Sequence, residues 1–414
     1  MMKKIIAYSD NAKIIKPEVL IKFLQELKEA VLEIHPGFQE EPKIFPKEID
    51  FTVHPKYRPT SRISKEEFSV QMELLVCSLE TLNQKKPILE TQLDEIVVSI
   101  MKVIAKLATA HMGCDYKEFS ENNILPVHFI WLEDGLFIKH AEAEHKDLIG
   151  RQVISINRVV VTDVYEKLKE LISYETENGA IHKSEALLRQ VRLLKALKIA
   201  DSKEQLRLEF SDGSHFDVKT VFRSALDKGG INLNSYSILG SGSILRIDIN
   251  NFPYDRIKEF NEFYDEVIDF ARNPNIQKII IDLRDNEGGN PDLFKYFLEK
   301  LKAIKEGRKV GPLRVSCLIG RKTFSSAVVA ANQLKKQVGA LIIGAETGGF
   351  ITGYGGFKEV SAKSPLRLGV CLTTCLFIFD NSEPKPVLPD IAVEQSSEDY
   401  FLNIDIVLKR AIEI

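Results

Sequence analysis

The fold of this chain is decided by the stretch Ile279-Ile280-Ile281-Asp282-Leu283-Arg284-Asp285-Asn286-Glu287-Gly288-Gly289-Asn290-Pro291. Its three isoleucines are typical of a buried strand, and a charged turn leads from them to two glycines. Asn290 and Pro291 then predict the N-cap and the first residue of a helix. Glycines in such a turn let backbone N–H groups approach a ligand, where they can stabilise a developing negative charge.

Predicted strands and helices alternate from Ser243 onward. The strands are continuous apolar runs, which favours a mostly parallel sheet covered by helices on both faces. The predicted strands are 244–249, 278–283, 313–318 and 340–344, the helices 255–272, 291–305 and 325–336, with further strands in 360–374. Residues 240–414 are therefore expected to form one α/β domain.

The rest of the chain divides into two further predicted domains, as its length of 414 residues suggests. Residues 1–120 form an N-terminal helical domain, whose third amphipathic helix is expected to run from residue 93 to residue 110. Residues 121–225 form a β-rich module with a hairpin across Glu133-Asp134-Gly135 and a charged helical insertion at roughly 178–200.

The composition limits the classes of partner. With 44% hydrophobic residues, 28% charged residues and a net charge of −3, neither nucleic acid nor an anionic membrane is expected as a partner. No run approaches the roughly 20 apolar residues of a membrane span. The five cysteines predict buried thiols, and no residues nearby complete a metal site.

Residues 1–10 have the basic opening of a signal peptide but no apolar run of useful length. As written, the chain is expected to be cytoplasmic; it would be exported if a leader had been removed.

A pair of serines marks the second informative segment, Gly320-Arg321-Lys322-Thr323-Phe324-Ser325-Ser326-Ala327. The serines lie where a strand leads into a helix, whose first N–H groups are free to bind an oxyanion. A nucleophilic serine also needs a general base. The alternative is that both serines only cap the helix.

The general base cannot be a histidine of the same domain, because no histidine follows His215. Either a lysine such as Lys358 acts, or a histidine arrives from the N-terminal half. His111 is the best placed, in a turn of small residues after a helix. Asp380 and Glu383, in a turn that follows a strand, are candidates to orient an imidazole.

These segments together resemble the C-terminal processing (tail-specific) peptidase family, which also includes the catalytic core of tricorn protease. The resemblance covers roughly residues 60–414. Four segments of the chain are similar to signatures of the family: residues 282–289, 323–327, 344–349 and 388–391. In addition, residues 148–161 resemble the carboxylate-loop region of the family's PDZ-like domain.

The family has two catalytic versions. The tail-specific branch uses a serine–lysine dyad, but Ile351 stands at the position of that lysine. The tricorn-like branch uses serine, histidine and an acid. The resemblance to this branch implies that Ser325 is the nucleophile, that His111 is the base, and that Asp380 or Glu383 is the acid.

The resemblance implies a serine endopeptidase that acts through an acyl-enzyme, on a ClpP/crotonase-like β/α domain. The oxyanion would be bound by N–H groups of Ser326 and of Gly288 or Gly289. The PDZ-like module would hold the C-terminus of a peptide or protein substrate at residues 148–150, namely Leu148, Ile149 and Gly150. No metal or organic cofactor is implied, and an oligomer is compatible with the family.

A second function is open on the same fold: a catalytically silent ligand- or peptide-binding protein, similar to retinoid-binding proteins. Val328 favours it, because the family commonly has glutamate at this position, and so do Ala108-Thr109-Ala110 before His111, where the tricorn-like branch usually has an acidic residue.

Overall fold

The computed structural model describes residues 15–45, 59, 61–82, 84–222, 234–309, 311–379 and 383–414. The helices are α1 (Pro17–Ile34), α2 (Lys65–Glu80), α3 (Glu90–Ala105), α4 (Lys117–Ser120), α5 (Val161–Lys169), α6 (Glu177–Leu187), α7 (Val191–Ala196), α8 (Ile257–Ala271), α9 (Asp292–Gly307), α10 (Ser326–Gln333), α11 (Ser397–Phe401) and α12 (Ile406–Glu413).

The strands are β1 (Ile44–Phe45), β2 (Gly113–Tyr116), β3 (Val127–Leu132), β4 (Gly135–Ala141), β5 (Gln152–Ile156), β6 (Val159–Val160), β7 (Gln205–Phe210), β8 (His215–Lys219), β9 (Ser235–Leu239), β10 (Ile244–Asp248), β11 (Lys278–Asp282), β12 (Arg314–Ile319), β13 (Leu341–Gly344), β14 (Gly353–Gly355), β15 (Lys358–Ser361), β16 (Leu368–Leu372), β17 (Cys375–Phe377) and β18 (Ile391–Ala392). The predicted α/β multidomain class is confirmed.

The sheet that contains the isoleucine run has the strand order β18-β13-β12-β11-β10-β9. All neighbours are parallel except the edge pair β9–β10. Ile279 and Ile281 pack into one core together with residues of α8, α9 and α10. Ile280 points to the opposite face, where residues of α12 cover it. A strand buried on both faces explains why its sequence does not alternate with polar residues.

Several predicted helix boundaries differ from the structure by a few residues, and two of them lie beside the glycines and beside His111. The helix after the glycines begins at Asp292, one residue later than predicted, and Asn290 accepts a hydrogen bond from the Asp292 amide through its side chain at 3.1 Å. The third N-terminal helix ends at Ala105 rather than at residue 110. Ala108 has a left-handed φ of 53°, which ends the helical path and directs the following residues into a turn.

The β-rich module contains a sheet of order β3-β4-β5-β7-β8. Strands β3 and β4 form the predicted hairpin, and α5, α6 and α7 lie between β6 and β7 in the chain. Side chains of this sheet share one hydrophobic core with α1, α2 and α3. The N-terminal helices and the module are therefore packed against each other.

A buried ion pair joins α3 to the helical insertion. Arg192 donates to Asp94 at 2.7 and 2.9 Å, and both side chains are less than a tenth exposed. Asp94→Ala would leave a buried guanidinium with only the more distant Glu90 and Glu118, at 3.5 and 3.9 Å. We expect the free energy of unfolding to fall by about 3 kcal/mol, measured by urea denaturation. The control Glu73→Ala, in an exposed pair with Lys28, should change it little.

Candidate active site

Ser325 occupies the turn between β12 and α10. Its backbone has φ 55° and ψ −126°, a strained conformation that surrounding contacts must hold. Its hydroxyl makes no capping hydrogen bond; Oγ lies 2.9 Å from Nε2 of His111 instead. Ser326 donates its hydroxyl to the carbonyl of Gly289 at 2.9 Å. The structure thus contradicts the alternative that these serines only cap the helix.

His111 reaches Ser325 from the N-terminal part of the chain, 214 residues away in sequence. Its ring packs against Phe324, with centroids 4.5 Å apart, and lies 6.0 Å from the exposed ring of Phe357. Burial lowers the pKa of His111 to about 4, and the positive charge of Lys183 acts in the same direction. The imidazole is therefore neutral at pH 7 and able to accept a proton.

The acid that would orient this imidazole is not among the side-chain contacts of the described chain. Nδ1 of His111 is buried, and no described side chain hydrogen-bonds it. Glu383 is exposed, and Asp380 lies outside the described residues.

The paired glycines lie directly beside Ser325. A Cβ on Gly288 would be 2.6 Å from Cβ of Ser325, so only glycine allows this approach. The Gly288 amide donates to Oδ1 of Asn286 at 2.8 Å. Within the described residues, the amides of Gly289 and Ser326 donate to no acceptor. Two unused N–H groups beside a serine hydroxyl are what an oxyanion requires.

Two charged residues of the site were missed by sequence reasoning. Glu175 accepts hydrogen bonds from the amides of Ala110 and Phe350, at 3.3 and 2.8 Å. Lys183 donates to the carbonyl of Ala110. Both lie between β6 and β7 of the β-rich module, Lys183 within the predicted charged insertion and Glu175 just before it, and no motif in this segment singled them out. Lys358, in contrast, is exposed on β15.

The predicted carboxylate loop offers a peptide no unused amide at two of its three positions. Leu148 is fully buried. The amides of Ile149 and Gly150 already donate to backbone carbonyls of Lys146 and Ile138, at 3.2 and 2.9 Å. A half-exposed Ile149 side chain lines a cleft of about 770 Å³ between the module and the α/β domain.

Three further properties of the described residues bear on function. No group of three or more His, Cys, Asp or Glu side chains there could hold a metal ion. All five cysteines are free thiols. No helix in the described ranges combines the length and the apolar character needed to cross a membrane.

Comparison with known proteins gives one family match and several structures of similar fold. Residues 243–393, the part with the serine and the glycines, match peptidase family S41. No curated protein matches the chain. Among solved structures, mature CPAF is 14% identical and shares the fold with a TM-score of 0.63, over 96% of this chain and 98% of that one. Mature CPAF complexed with lactacystin gives 13% identity and a TM-score of 0.57, over 96% and 98%.

The photosystem II D1 C-terminal processing protease is also similar, with 13% identity and a TM-score of 0.44 over 90% of this chain and 92% of that one. The matched region is that of a serine-type peptidase. The match of residues 243–393 to peptidase family S41 confirms the resemblance to C-terminal processing peptidases that was drawn from the motifs.

Proposed function

We propose that this protein is an endopeptidase that hydrolyses peptide bonds through an acyl-enzyme on Ser325. The observation that carries the proposal is the 2.9 Å contact between Oγ of Ser325 and Nε2 of His111, made by a serine on a strained turn. A neutral imidazole at hydrogen-bond distance is the general base that a serine nucleophile needs.

In the proposed reaction, Oγ of Ser325 attacks the carbonyl carbon of the scissile peptide while Nε2 of His111 takes the hydroxyl proton. The N–H groups of Gly289 and Ser326 stabilise the oxyanion of the tetrahedral intermediate. The imidazolium then gives its proton to the leaving amine, and the acyl-enzyme forms. Water, deprotonated by the same imidazole, then attacks the ester carbonyl; the C–O bond to Ser325 breaks, the acid is released, and the imidazolium returns the proton to Oγ of Ser325.

We propose Asp380 as the acceptor of the Nδ1 proton of His111, with Glu383 as the second candidate. A carboxylate there would fix the tautomer in which Nε2 is free to accept. It would also stabilise the imidazolium, and so raise the pKa that burial lowers to about 4.

The β-rich module is proposed to bind the C-terminal segment of the peptide or protein substrate. Because the Ile149 and Gly150 amides are engaged, the carboxylate would instead be bound by cationic side chains that line the cleft, with Lys139 of the module as the first candidate. Peptides with a free C-terminus should therefore be cleaved with a lower KM than their C-terminal amides. Equal KM values would remove the module from carboxylate recognition.

The function is tested by inactivation with diisopropyl fluorophosphate at pH 8, with mass spectrometry to map the adduct. We expect time-dependent inactivation and an adduct on Ser325 that His111→Ala prevents. An adduct that survives His111→Ala would make Lys183 the candidate base. No adduct on any serine would instead favour the ligand-binding protein, whose chief sequence support is Val328.

The pH dependence of this inactivation should identify the acid. The base must be neutral to act, so the rate is lost as the pH falls through the pKa of His111. Burial lowers that pKa to about 4, and a carboxylate on Nδ1 raises it. We therefore expect the loss of activity on the acidic side to occur at a lower pH in Asp380→Asn than in the wild type. If Glu383→Gln shifts the acidic limb of the pH–rate profile and Asp380→Asn does not, Glu383 is the acid.

A further inference from the structure

The turn that carries His111 is held by side chains of a different part of the chain. The hydroxyl of Ser173 accepts from the Thr109 amide at 3.0 Å and donates to the Thr109 carbonyl at 2.8 Å. The Ala110 amide donates to Glu175, and the Ala110 carbonyl accepts from Lys183. Every backbone polar group of the two residues before His111 is therefore bonded to residues 173–183.

The same residues also contact the α/β domain. Glu175 accepts from the Phe350 amide at 2.8 Å, and Asn178 donates to the Glu346 carbonyl at 2.9 Å. Gly179 approaches the carbonyl of Gly348 so closely that a Cβ would lie 2.2 Å from it. Residues 173–183 thus connect the turn of His111 to the domain of Ser325.

Glu175 and Lys183 are largely buried charges. Burial raises the pKa of Glu175 and lowers the pKa of Lys183 to about 8. Buried charges cost free energy unless polar partners compensate them. Here the partners are backbone groups: the Ala110 and Phe350 amides donate to Glu175. Lys183 donates to the Ala110 carbonyl and, at 2.9 Å, to the Ser173 carbonyl.

We propose that Glu175 and Lys183 are positioning residues for His111: they hold its turn so that Nε2 stays at hydrogen-bond distance from Ser325. The inference rests on the proposed function. These two residues of the β-rich module would thereby influence the reaction rate, because a displacement of about 1 Å at a reacting group can cost roughly a hundredfold in rate.

Lys183 has a second effect that a purely structural residue would lack. Its charge disfavours the imidazolium, so removing it should raise the pKa of His111. Two charged groups act on Lys183: Glu175, which lies in the same segment 173–183, and Glu287, which lies in the turn beside Gly288. Loss of Lys183 should therefore move the acidic limb to higher pH as well as lower the rate.

The chain provides a matched control in Lys278. Its ammonium group also donates to two backbone carbonyls, those of Ala411 and Ile412, both at 2.8 Å. Lys278 joins β11 to the C-terminal helix and makes none of the contacts to the turn of His111. Lys278→Met thus removes the same type of interaction without touching the proposed site.

The experiment compares the rate of diisopropyl fluorophosphate inactivation, from pH 4 to 9, in wild type, Lys183→Met, Glu175→Gln and Lys278→Met. We expect a loss of about ten- to a hundredfold in Lys183→Met and Glu175→Gln, with an upward shift of the acidic limb in Lys183→Met. Lys183→Arg, which keeps the donors and the charge, should restore the limb. A Lys183→Met profile that matches Lys278→Met would overturn the proposal.

A second measurement separates this proposal from the proposed function. The pKa of His111 is read from its imidazole nitrogen resonances, assigned with His111→Gln, which needs no turnover. A higher pKa in Lys183→Met, or in Lys183→Gln if the first variant does not fold, supports the positioning role; an unchanged pKa overturns it. A wild type without any serine adduct would overturn the proposed function and leave this test valid.

Discussion

Ser325→Ala is expected to abolish peptide hydrolysis, with a fall in kcat of about a million-fold, the size seen when a catalytic serine is removed from a unit that acts with its base. The neighbouring Ser326 hydroxyl cannot replace it, because it is bonded to the Gly289 carbonyl. The measurement is single-turnover cleavage of a denatured protein substrate, followed by mass spectrometry. Substrate binding should remain, since Ser325→Ala leaves the backbone donors in place.

The control is Ser326→Ala, which removes a hydroxyl one residue away. Its loss frees the Gly289 carbonyl and should lower kcat by no more than about tenfold, the cost of one neutral hydrogen bond. His111→Ala should resemble Ser325→Ala, and the double variant should lose nothing further, because the two residues act as a unit. Activity of Ser325→Ala within a hundredfold of wild type would rule out Ser325 as the nucleophile.

The parts of the fold that the sequence predicted well are those with a local signal. The isoleucine run 279–281 required a strand buried on both faces, and the register with β10 and β12 places it at the centre of the sheet. The two glycines required close backbone approach, and their φ values of 102° and 127° explain why no other residue serves. Short-range rules suffice there because the cause lies within a few residues.

The error at the end of the third N-terminal helix arises from contacts that are distant in sequence. A helical pattern continues beyond Ala105 in the sequence, but the left-handed Ala108 ends the helix. The bonds that hold the following turn come from Ser173, Glu175 and Lys183, more than 60 residues away. Tertiary contacts overrode local propensity at this point, and that turn places His111 beside Ser325.

The choice between a capping serine and a nucleophile also needed the structure. A serine at a helix start normally caps it, and the segment lacks the Gly-x-Ser-x-Gly pattern of a nucleophile elbow. The backbone of Ser325 is nevertheless strained, and its hydroxyl points to the histidine instead of the helix. Strain held by surrounding contacts leaves no pattern in the residues themselves.

Gly289→Ala is expected to lower kcat by at least about a hundred- to a thousandfold, the effect of removing one oxyanion donor. A Cβ at this position would lie 1.9 Å from the Phe252 carbonyl oxygen. The φ of 127° is also one that alanine rarely adopts. The backbone around Gly289 must therefore shift away from Phe252. This shift moves the Gly289 amide away from the position that a tetrahedral intermediate requires.

Gly307→Ala is the matched control, because a Cβ added there would meet nothing within 4 Å and the residue ends α9. It should leave kcat unchanged and keep the thermal unfolding temperature at or above that of wild type. The decisive readout is the inhibition constant of a peptide aldehyde, which forms a tetrahedral adduct on serine. In Gly289→Ala this constant should rise in proportion to the fall in kcat while KM changes little, since the donor acts in the transition state. An unchanged inhibition constant would remove the Gly289 amide from the oxyanion site.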